Sequence, residues 1–286
     1  MIRLLLYLYN RAFQSSPWLA YAFAVTVGLT VFSRLSSHVN FFTRQIIYIA
    51  ILVVACVSGI CSSFLLVPLG RRVAINYVVA RSFKHLARVF LGVRTEIIGA
   101  ENFPNMDQPC VYVLNHQSSL DLIALGAFMP ANGVITAKRS LKFYPFLGQF
   151  MMLANNIFIN RGNRSEAIKV FKDAVDTIHA KKLSVVIFPE GTRGRQVQAM
   201  LPFKKGAFHM AVQAGIPVVP VVFSNFHSFY CKKEFRFESG LIKIKVLNPI
   251  PTKNLTTDDV EKLAIDTREV MVEALEEISD DSKKHD

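Results

Sequence analysis

His116 and Asp121 stand five positions apart in the stretch Leu114-Asn115-His116-Gln117-Ser118-Ser119-Leu120-Asp121. A carboxylate held against one imidazole nitrogen fixes the tautomer, and it supports the cation that forms when the other nitrogen takes a proton. Such a pair makes His116 a candidate general base for a hydroxyl. The spacing adds a condition. On a continuous helix each residue turns the chain by ~100°, so positions five apart lie about 140° around the axis and do not face each other. For His116 to meet Asp121 the chain must turn between them, with the pair hydrogen-bonded and a helix starting near Ser119. Ser118 and Ser119 are suitable N-cap residues for that helix. On these residues alone, a capped helix start with a satisfied His and an Asp favoured by the helix dipole is the simpler account.

The elements that must position the pair are legible on either side of it. Cys110 to Leu114 reads as a buried strand, and Leu122 to Met129 is apolar at helical spacing. Ligands and chemistry gather at such strand ends in open α/β sheets. Other strand ends repeat the arrangement. Val185-Val186-Ile187-Phe188 runs into Pro189-Glu190-Gly191-Thr192-Arg193-Gly194-Arg195. There Gly191 allows close backbone approach, and Arg193 offers the forked donor that suits phosphate. Asn156 to Asn160 delivers Arg161, the strand 133–137 delivers Lys138, and Ile216 to Val222 forms a further apolar strand. Singly these read as a Pro-Gly turn with a solvated arginine, an exposed basic turn and a wall strand. Together they bring a His–Asp pair and several cationic groups toward one edge of a sheet. That is a layout for a base acting beside a bound phosphate.

Periodicity predicts strands at 94–98, 110–114, 133–137, 156–160, 183–188, 217–223 and 241–247, and helices at 119–129, 164–180, 205–214 and 257–278. Strands alternating with helices argue for an α/β sheet flanked by helices. Asn163 followed by Glu166 marks the start of the helix at 164.

The net charge of +12 is unevenly distributed: the first 95 residues hold ten Lys and Arg and no Asp or Glu. Ala12 to Ser33 and Gln45 to Gly70 contain no charged residue, and each is long enough for a membrane helix. Arg81, Lys84, His85 and Arg88 then share a helical face, so Arg71 to Arg94 reads as a basic amphipathic helix on a membrane surface. The expected organisation is a two-helix membrane anchor at 1–70, an interfacial helix at 71–94 and an α/β domain at 95–286. A short hairpin dipping into one leaflet is the alternative to two crossings. The positive-inside rule places the domain in the cytosol. Positive charge beside apolar spans points to an anionic membrane and away from nucleic acid. Among the cysteines, Cys56, Cys61 and Cys110 read as buried small hydrophobes, Cys231 sits before two lysines, and the four show no metal-ligand spacing.

The blocks Asn115 to Asp121, Ile157 to Arg161, Phe188 to Arg193 and Ile216 to Val221, in that order, resemble the H-x4-D glycerolipid acyltransferases. Leu201 to His209 and Phe229 to Glu234 are similar to the animal 1-acyl-sn-glycerol-3-phosphate acyltransferases of alpha/beta type. The resemblance covers about residues 70–275, with the N-terminal apolar helices in register. One departure is visible: Asn160 stands where the family's second block usually has Asp. The resemblance implies that His116, oriented by Asp121, deprotonates the sn-2 hydroxyl of lysophosphatidate for attack on acyl-coenzyme A. Phosphatidate and free coenzyme A result. It implies a phosphate site made by Glu190, Gly191, Thr192 and Arg193, with Arg161 and Lys138 in support. It calls for no metal, no cofactor beyond the acyl-coenzyme A co-substrate, no covalent enzyme intermediate and no obligate protein partner. Lys283 and Lys284 near the end resemble a retrieval signal of endoplasmic reticulum membrane proteins. Two matches to the N-glycosylation pattern, at Asn163 and Asn254, are expected to stay unmodified on a cytosolic domain. Acylation of another lysophospholipid or of glycerol 3-phosphate, or a non-catalytic membrane scaffold, are the competing expectations.

Overall fold

The computed structural model describes Val25 and residues 36–105, 108–194 and 200–280. The first expected membrane helix, Arg195 and the terminal lysines lie outside the described residues.

The strands are β1 (Val93–Ile98), β2 (Val111–Leu114), β3 (Gly133–Lys138), β4 (Ile157–Ile159), β5 (Ser184–Ile187), β6 (Val218–Phe223), the short pair β7 (Tyr230–Cys231) and β8 (Arg236–Phe237), and β9 (Gly240–Val246). The helices are α1 (Ser37–Leu66), α2 (Ala74–Leu91), α3 (Asp121–Phe128), α4 (Leu147–Leu153), α5 (Arg164–Lys181), α6 (Gly206–Ala214) and α7 (Val260–Asp280). Seven strands form one sheet in the order β1-β9-β6-β2-β5-β3-β4. Its centre, β6-β2-β5-β3-β4, is parallel; β9 runs antiparallel to β6 and carries β1 parallel to itself.

Alternation along β2 separates two cores. Tyr112 and Leu114 face one side of the sheet with α1, α2, α3 and α4, while Val111 and Val113 face the other with α5, α6 and α7. A parallel sheet covered on both faces is built from near-continuous apolar strands, and β2, β5 and β6 are buried at every position.

The expected boundaries at 70 and 94 do not divide the packing. The apolar stripe of α2 (Ile75, Val79, Phe83, Ala87, Leu91) is buried in the core shared with α1 and the sheet. Buried amides lock it there. Asn76 Nδ2 donates to Gly133 O at 3.0 Å, and Asn156 Nδ2 donates to Asn76 Oδ1 at 2.7 Å. Arg81, assigned by its spacing to a basic lipid-facing stripe, instead donates to Ala127 O at the end of α3. Satisfying a helix's last carbonyls from a neighbouring arginine is favourable on both hydrogen-bond and dipole grounds. So α2 is a core helix with a basic outer side.

Among the described residues, one helix, α1, is long and apolar enough to cross a membrane. Its 30 residues span about 45 Å. Yet Phe41, Tyr48, Ile51, Ala55, Cys56, Gly59 and Ser63 bury a stripe along most of that length. At Gly59 the backbone meets Val79 so closely that an added Cβ would lie 2.2 Å from its methyl group. Polar ties fasten the N-terminal half. Asn40 donates to Phe237 O, Arg44 to Leu91 O, and Gln45 to Tyr230 Oη. The opposite stripe, including Phe42, Ile46, Ile49, Phe64 and Leu65, is exposed. Cys61 is exposed on that side, against the expectation of burial, while Cys56 and Cys110 are buried.

Candidate active site

The parallel pairing of β2 with β5 aligns Val113 with Ile187, so continuing the register brings His116 opposite Glu190. The chain turns between His116 and Asp121, as the spacing requires. His116 Nδ1 lies 2.6 Å from Asp121 Oδ2. Asp121 is almost fully buried, and its oxygens also accept from Gln117 N at 2.9 Å and Ser118 N at 3.1 Å. The helix therefore starts at Asp121, two residues later than expected. Neither serine is its N-cap: Ser118 Oγ accepts from Leu120 N at 2.9 Å, within the turn. The aspartate folds the turn back upon itself and holds the imidazole with the same carboxylate.

Burial pushes the Asp121 carboxyl up, and hydrogen bonding from His116 and the two backbone N–H groups opposes that rise. A buried acceptor committed to Nδ1 leaves Nε2 as the nitrogen able to take a proton. The His116 ring rests against Phe188, with centroids 4.3 Å apart. Asn115 and Gln117, on either side, grip the end of β6. Asn115 exchanges two bonds with Phe223, and Gln117 Nε2 donates to the carbonyls of Phe223 and Ser224. Tyr48 of α1 reaches the same turn and donates to Ser119 O at 2.5 Å.

The loop after β5 is bound to this turn from both sides. Glu190 Oε1 accepts from His116 N at 2.7 Å, and Gly194 N donates to His116 O at 2.9 Å. Glu190 Oε2 accepts from Leu201 N at 3.1 Å. Glu190 is thus a buried anchor with both oxygens engaged, not a group open to a ligand. Burial raises its pKa, against the pull of the two N–H donors. Gly191 adopts φ +69, and a Cβ there would meet Lys204 Cε at 2.8 Å and Nζ at 3.0 Å. Thr192 and Arg193 are exposed. Arg161 follows β4 and donates to Gly191 O at 2.5 Å. Desolvation first, and the nearby Arg193 charge second, lower the Arg161 pKa. Two guanidinium groups and an ammonium thus converge on one glycine turn, an arrangement of donors suited to an anion.

Lys138 ends β3 opposite Ile159, with an exposed side chain at the same edge. Lys204 was not singled out by sequence. It follows Gly191 by thirteen residues, and only the fold returns it, through Lys204 N donating to Pro189 O at 2.9 Å. Asn160 is engaged away from the Gly191 turn. Its Nδ2 donates to Glu166 Oε2 at 2.8 Å and its Oδ1 accepts from Gly162 N at 3.2 Å. An aspartate there would set two carboxylates against each other, so the amide suits Glu166.

Two other features lie apart from this edge. A groove lined by Val134, Ile157, Ala174, Ile178 and Leu183 opens toward the starting ends of β3 and β5, opposite to His116. His227, Cys231 and Glu234 come together near β7, where Arg236 already bonds to Glu234 at 2.8 Å and to His227 O at 2.7 Å.

The family model described as Acyltransferase matches residues 94–224, which hold β1 through β6 and both halves of the site. The human 1-acyl-sn-glycerol-3-phosphate acyltransferase alpha is 44% identical over 214 residues, 75% of this chain and 75% of that protein. The chain belongs to the 1-acyl-sn-glycerol-3-phosphate acyltransferase family. A Saccharomyces cerevisiae protein named 1-acyl-sn-glycerol-3-phosphate acyltransferase is 37% identical over 239 residues, covering 83% of this chain and 78% of its own. The fold is similar to the crystal structure of the Thermotoga maritima 1-acyl-sn-glycerophosphate (LPA) acyltransferase PlsC. Its TM-score is 0.68 at 25% identity, over 85% of this chain and 98% of that one. The α/β architecture with a mostly parallel sheet, and acyltransferase activity as the enzyme class, follow for this family member.

Proposed function

We propose that this acyltransferase moves an acyl chain from acyl-coenzyme A to the sn-2 hydroxyl of lysophosphatidate, yielding phosphatidate for phospholipid and triacylglycerol synthesis. The observation that carries the reading is the His116–Asp121 pair, bonded through both backbone groups of His116 to a loop that gathers Arg161, Arg193 and Lys204. The names of the relatives supply the acceptor. The excess of cationic donors favours a phosphomonoester over a zwitterionic headgroup.

In this reading Asp121 holds the proton on Nδ1, and Nε2 of His116 takes the proton of the acceptor hydroxyl as its oxygen attacks the thioester carbonyl. The tetrahedral intermediate expels the coenzyme A thiolate, which recovers the proton from the imidazolium. Atoms and charges balance without a covalent enzyme intermediate. Arg193, Arg161, Lys204, Thr192 and the Gly191 backbone bind the phosphate, with Lys138 at the outer edge, while Glu190 keeps the loop in place.

The exposed stripe of α1 faces a lipid bilayer. Because α1 is packed on the catalytic domain along most of its length, it lies on one leaflet beside the domain and does not stand clear of it. The domain is cytosolic, at the endoplasmic reticulum. Treatment with an endoglycosidase should then leave its size unchanged, and a shift would overturn the orientation.

The deciding experiment is an assay of membranes containing the protein, with lysophosphatidate, other lysophospholipids and glycerol 3-phosphate offered alongside acyl-coenzyme A of several chain lengths. Lysophosphatidate should be strongly preferred. His116→Ala should lose about 10²–10⁴-fold in turnover while still inserting in membranes. Preference for another acceptor would overturn the substrate, and an active His116→Ala would overturn the mechanism.

A further inference from the structure

Directly after β3, the chain forms a 3-10 turn (Arg139–Phe143), passes through Tyr144-Pro145-Phe146 and enters α4. Phe143 is 83% exposed, Tyr144 57% and Phe146 45%. Three neighbouring exposed aromatics are unusual on a protein surface that faces water.

This turn is held rigidly. Phe146 adopts φ 61, a left-handed conformation that a bulky side chain rarely takes. Gly148 N donates to Tyr144 O at 2.8 Å, and Phe150 N to Phe146 O at 3.1 Å. Gly148 also presses on the Lys142 carbonyl, which an added Cβ would approach to 2.1 Å. The fold thus commits backbone bonds, close packing and an unfavourable dihedral to keeping the aromatic side chains outward.

The surroundings say what covers them. Lys138, Arg139 and Lys142 flank the aromatics, and the chain has no Asp or Glu between Asp121 and Glu166. Arg139 is paired with Glu166, which leaves an excess of positive charge. Aromatic rings beside lysine and arginine match the chemistry of a bilayer interface, where rings lie at headgroup depth and cations meet anionic lipid phosphates. The turn is also tied to α1: α4 packs on α1 at Gly59, where an added Cβ would lie 3.6 Å from Phe150 Cβ.

We propose that Phe143, Tyr144 and Phe146 form a membrane-inserting wedge, distinct from α1, that seats the catalytic edge of the sheet on an anionic lipid surface. It rests on the reading of α1 as bilayer-facing. With Lys138 immediately before it, the wedge puts the phosphate site at headgroup level. A lysophospholipid can then enter sideways from the leaflet without leaving the lipid.

The test uses the full chain with its single native tryptophan replaced, Trp18→Phe. One tryptophan is then introduced as Phe143→Trp, as Ile49→Trp on the outer stripe of α1, or as Ile265→Trp on the exposed side of α7. Vesicles of phosphatidylserine with phosphatidylcholine brominated in its acyl chains supply the quencher. The wedge predicts quenching at positions 143 and 49 and none at 265. Quenching at 49 without quenching at 143 overturns the wedge while leaving the membrane reading intact; its absence at both overturns both. Independently, Phe143→Ser with Tyr144→Ser should reduce turnover of vesicle-borne lysophosphatidate roughly tenfold. Turnover of a short-chain, monomeric lysophosphatidate should be unchanged. Equal loss in the two assays would mean local collapse and would overturn the proposal.

Discussion

The turn after β2 and the loop after β5 are neighbours at one sheet edge, yet they are built in opposite ways. Residues 115–121 are over-determined: Asp121 holds the imidazole and two backbone N–H groups at once, and Asn115, Gln117 and Ser119 are each tied to another element. Thr192, Arg193 and Arg161 instead present exposed side chains on an anchored backbone. In the proposed mechanism the difference follows from what each would do. Moving a proton along a defined line requires an orientation fixed to within fractions of an ångström. Holding a charged group whose oxygens are equivalent by symmetry requires donors in number, and the arms can adjust.

That contrast is tested most severely by Asp121→Asn. The amide retains the shape but offers Nδ2 as a donor to Nδ1, which moves the proton onto the nitrogen that should accept one. A loss of about 10³–10⁴-fold in kcat with unchanged membrane association is expected. A loss below tenfold would show that the turn is not the rigid, orienting half. In the adaptable half, Arg193→Lys should raise KM for lysophosphatidate about tenfold with kcat largely preserved, since a single ammonium replaces a fork. A fall confined to kcat would erase the distinction between the two regions.

Tyr48→Phe probes whether orientation of the turn depends on α1. The ring would still pack edge-on to Phe83, at 5.3 Å between centroids. Only the bond to Ser119 O is lost, a change of about 1 kcal/mol and hence about fivefold in kcat. An effect on KM alone would place Tyr48 with substrate binding. The smallest expected effect is that of Asn160→Asp, a loss of roughly 1 kcal/mol of stability near neutral pH, read by thermal unfolding. Facing Glu166 raises the native pKa of the introduced carboxyl above its unfolded value. The deficit is therefore present at higher pH and shrinks as pH falls and the fold takes up a proton. Glu166→Gln should remove it, and a deficit that survives this second change would mean Asn160 acts elsewhere.

The parts of this site carried by local rules are legible in the sequence. The turn between His116 and Asp121 followed from helical geometry, and the Asn163 cap appears with its side chain accepting from Glu166 N at 3.1 Å. Strands and helices of the sheet fall within a few residues of their periodic signals. What escaped was non-local. Periodicity identified an amphipathic α2 but could not say whether protein or lipid covers its apolar side. The segment 139–153, rich in aromatics with Pro145 inside it, has no period to read, so the 3-10 turn and α4 went unseen. Glu190 looked like a ligand-facing group because its carboxylate bonds to the N–H groups of His116 and Leu201 depend on tertiary placement that no spacing reveals. The strands β7 and β8, two residues each, are too short to leave a signal.

The two hydrogen bonds between His116 and the loop have a consequence for how such proteins can change. Because Glu190 and Gly194 clamp the two backbone sides of His116, the proposed base and the proposed headgroup site share one hinge point. A substitution that re-aims the loop toward a different headgroup also tilts the imidazole. Altered acceptor choice should therefore emerge through paired replacements in both segments, and a loop grafted alone from another acyltransferase should arrive with its new preference but with a misaimed base.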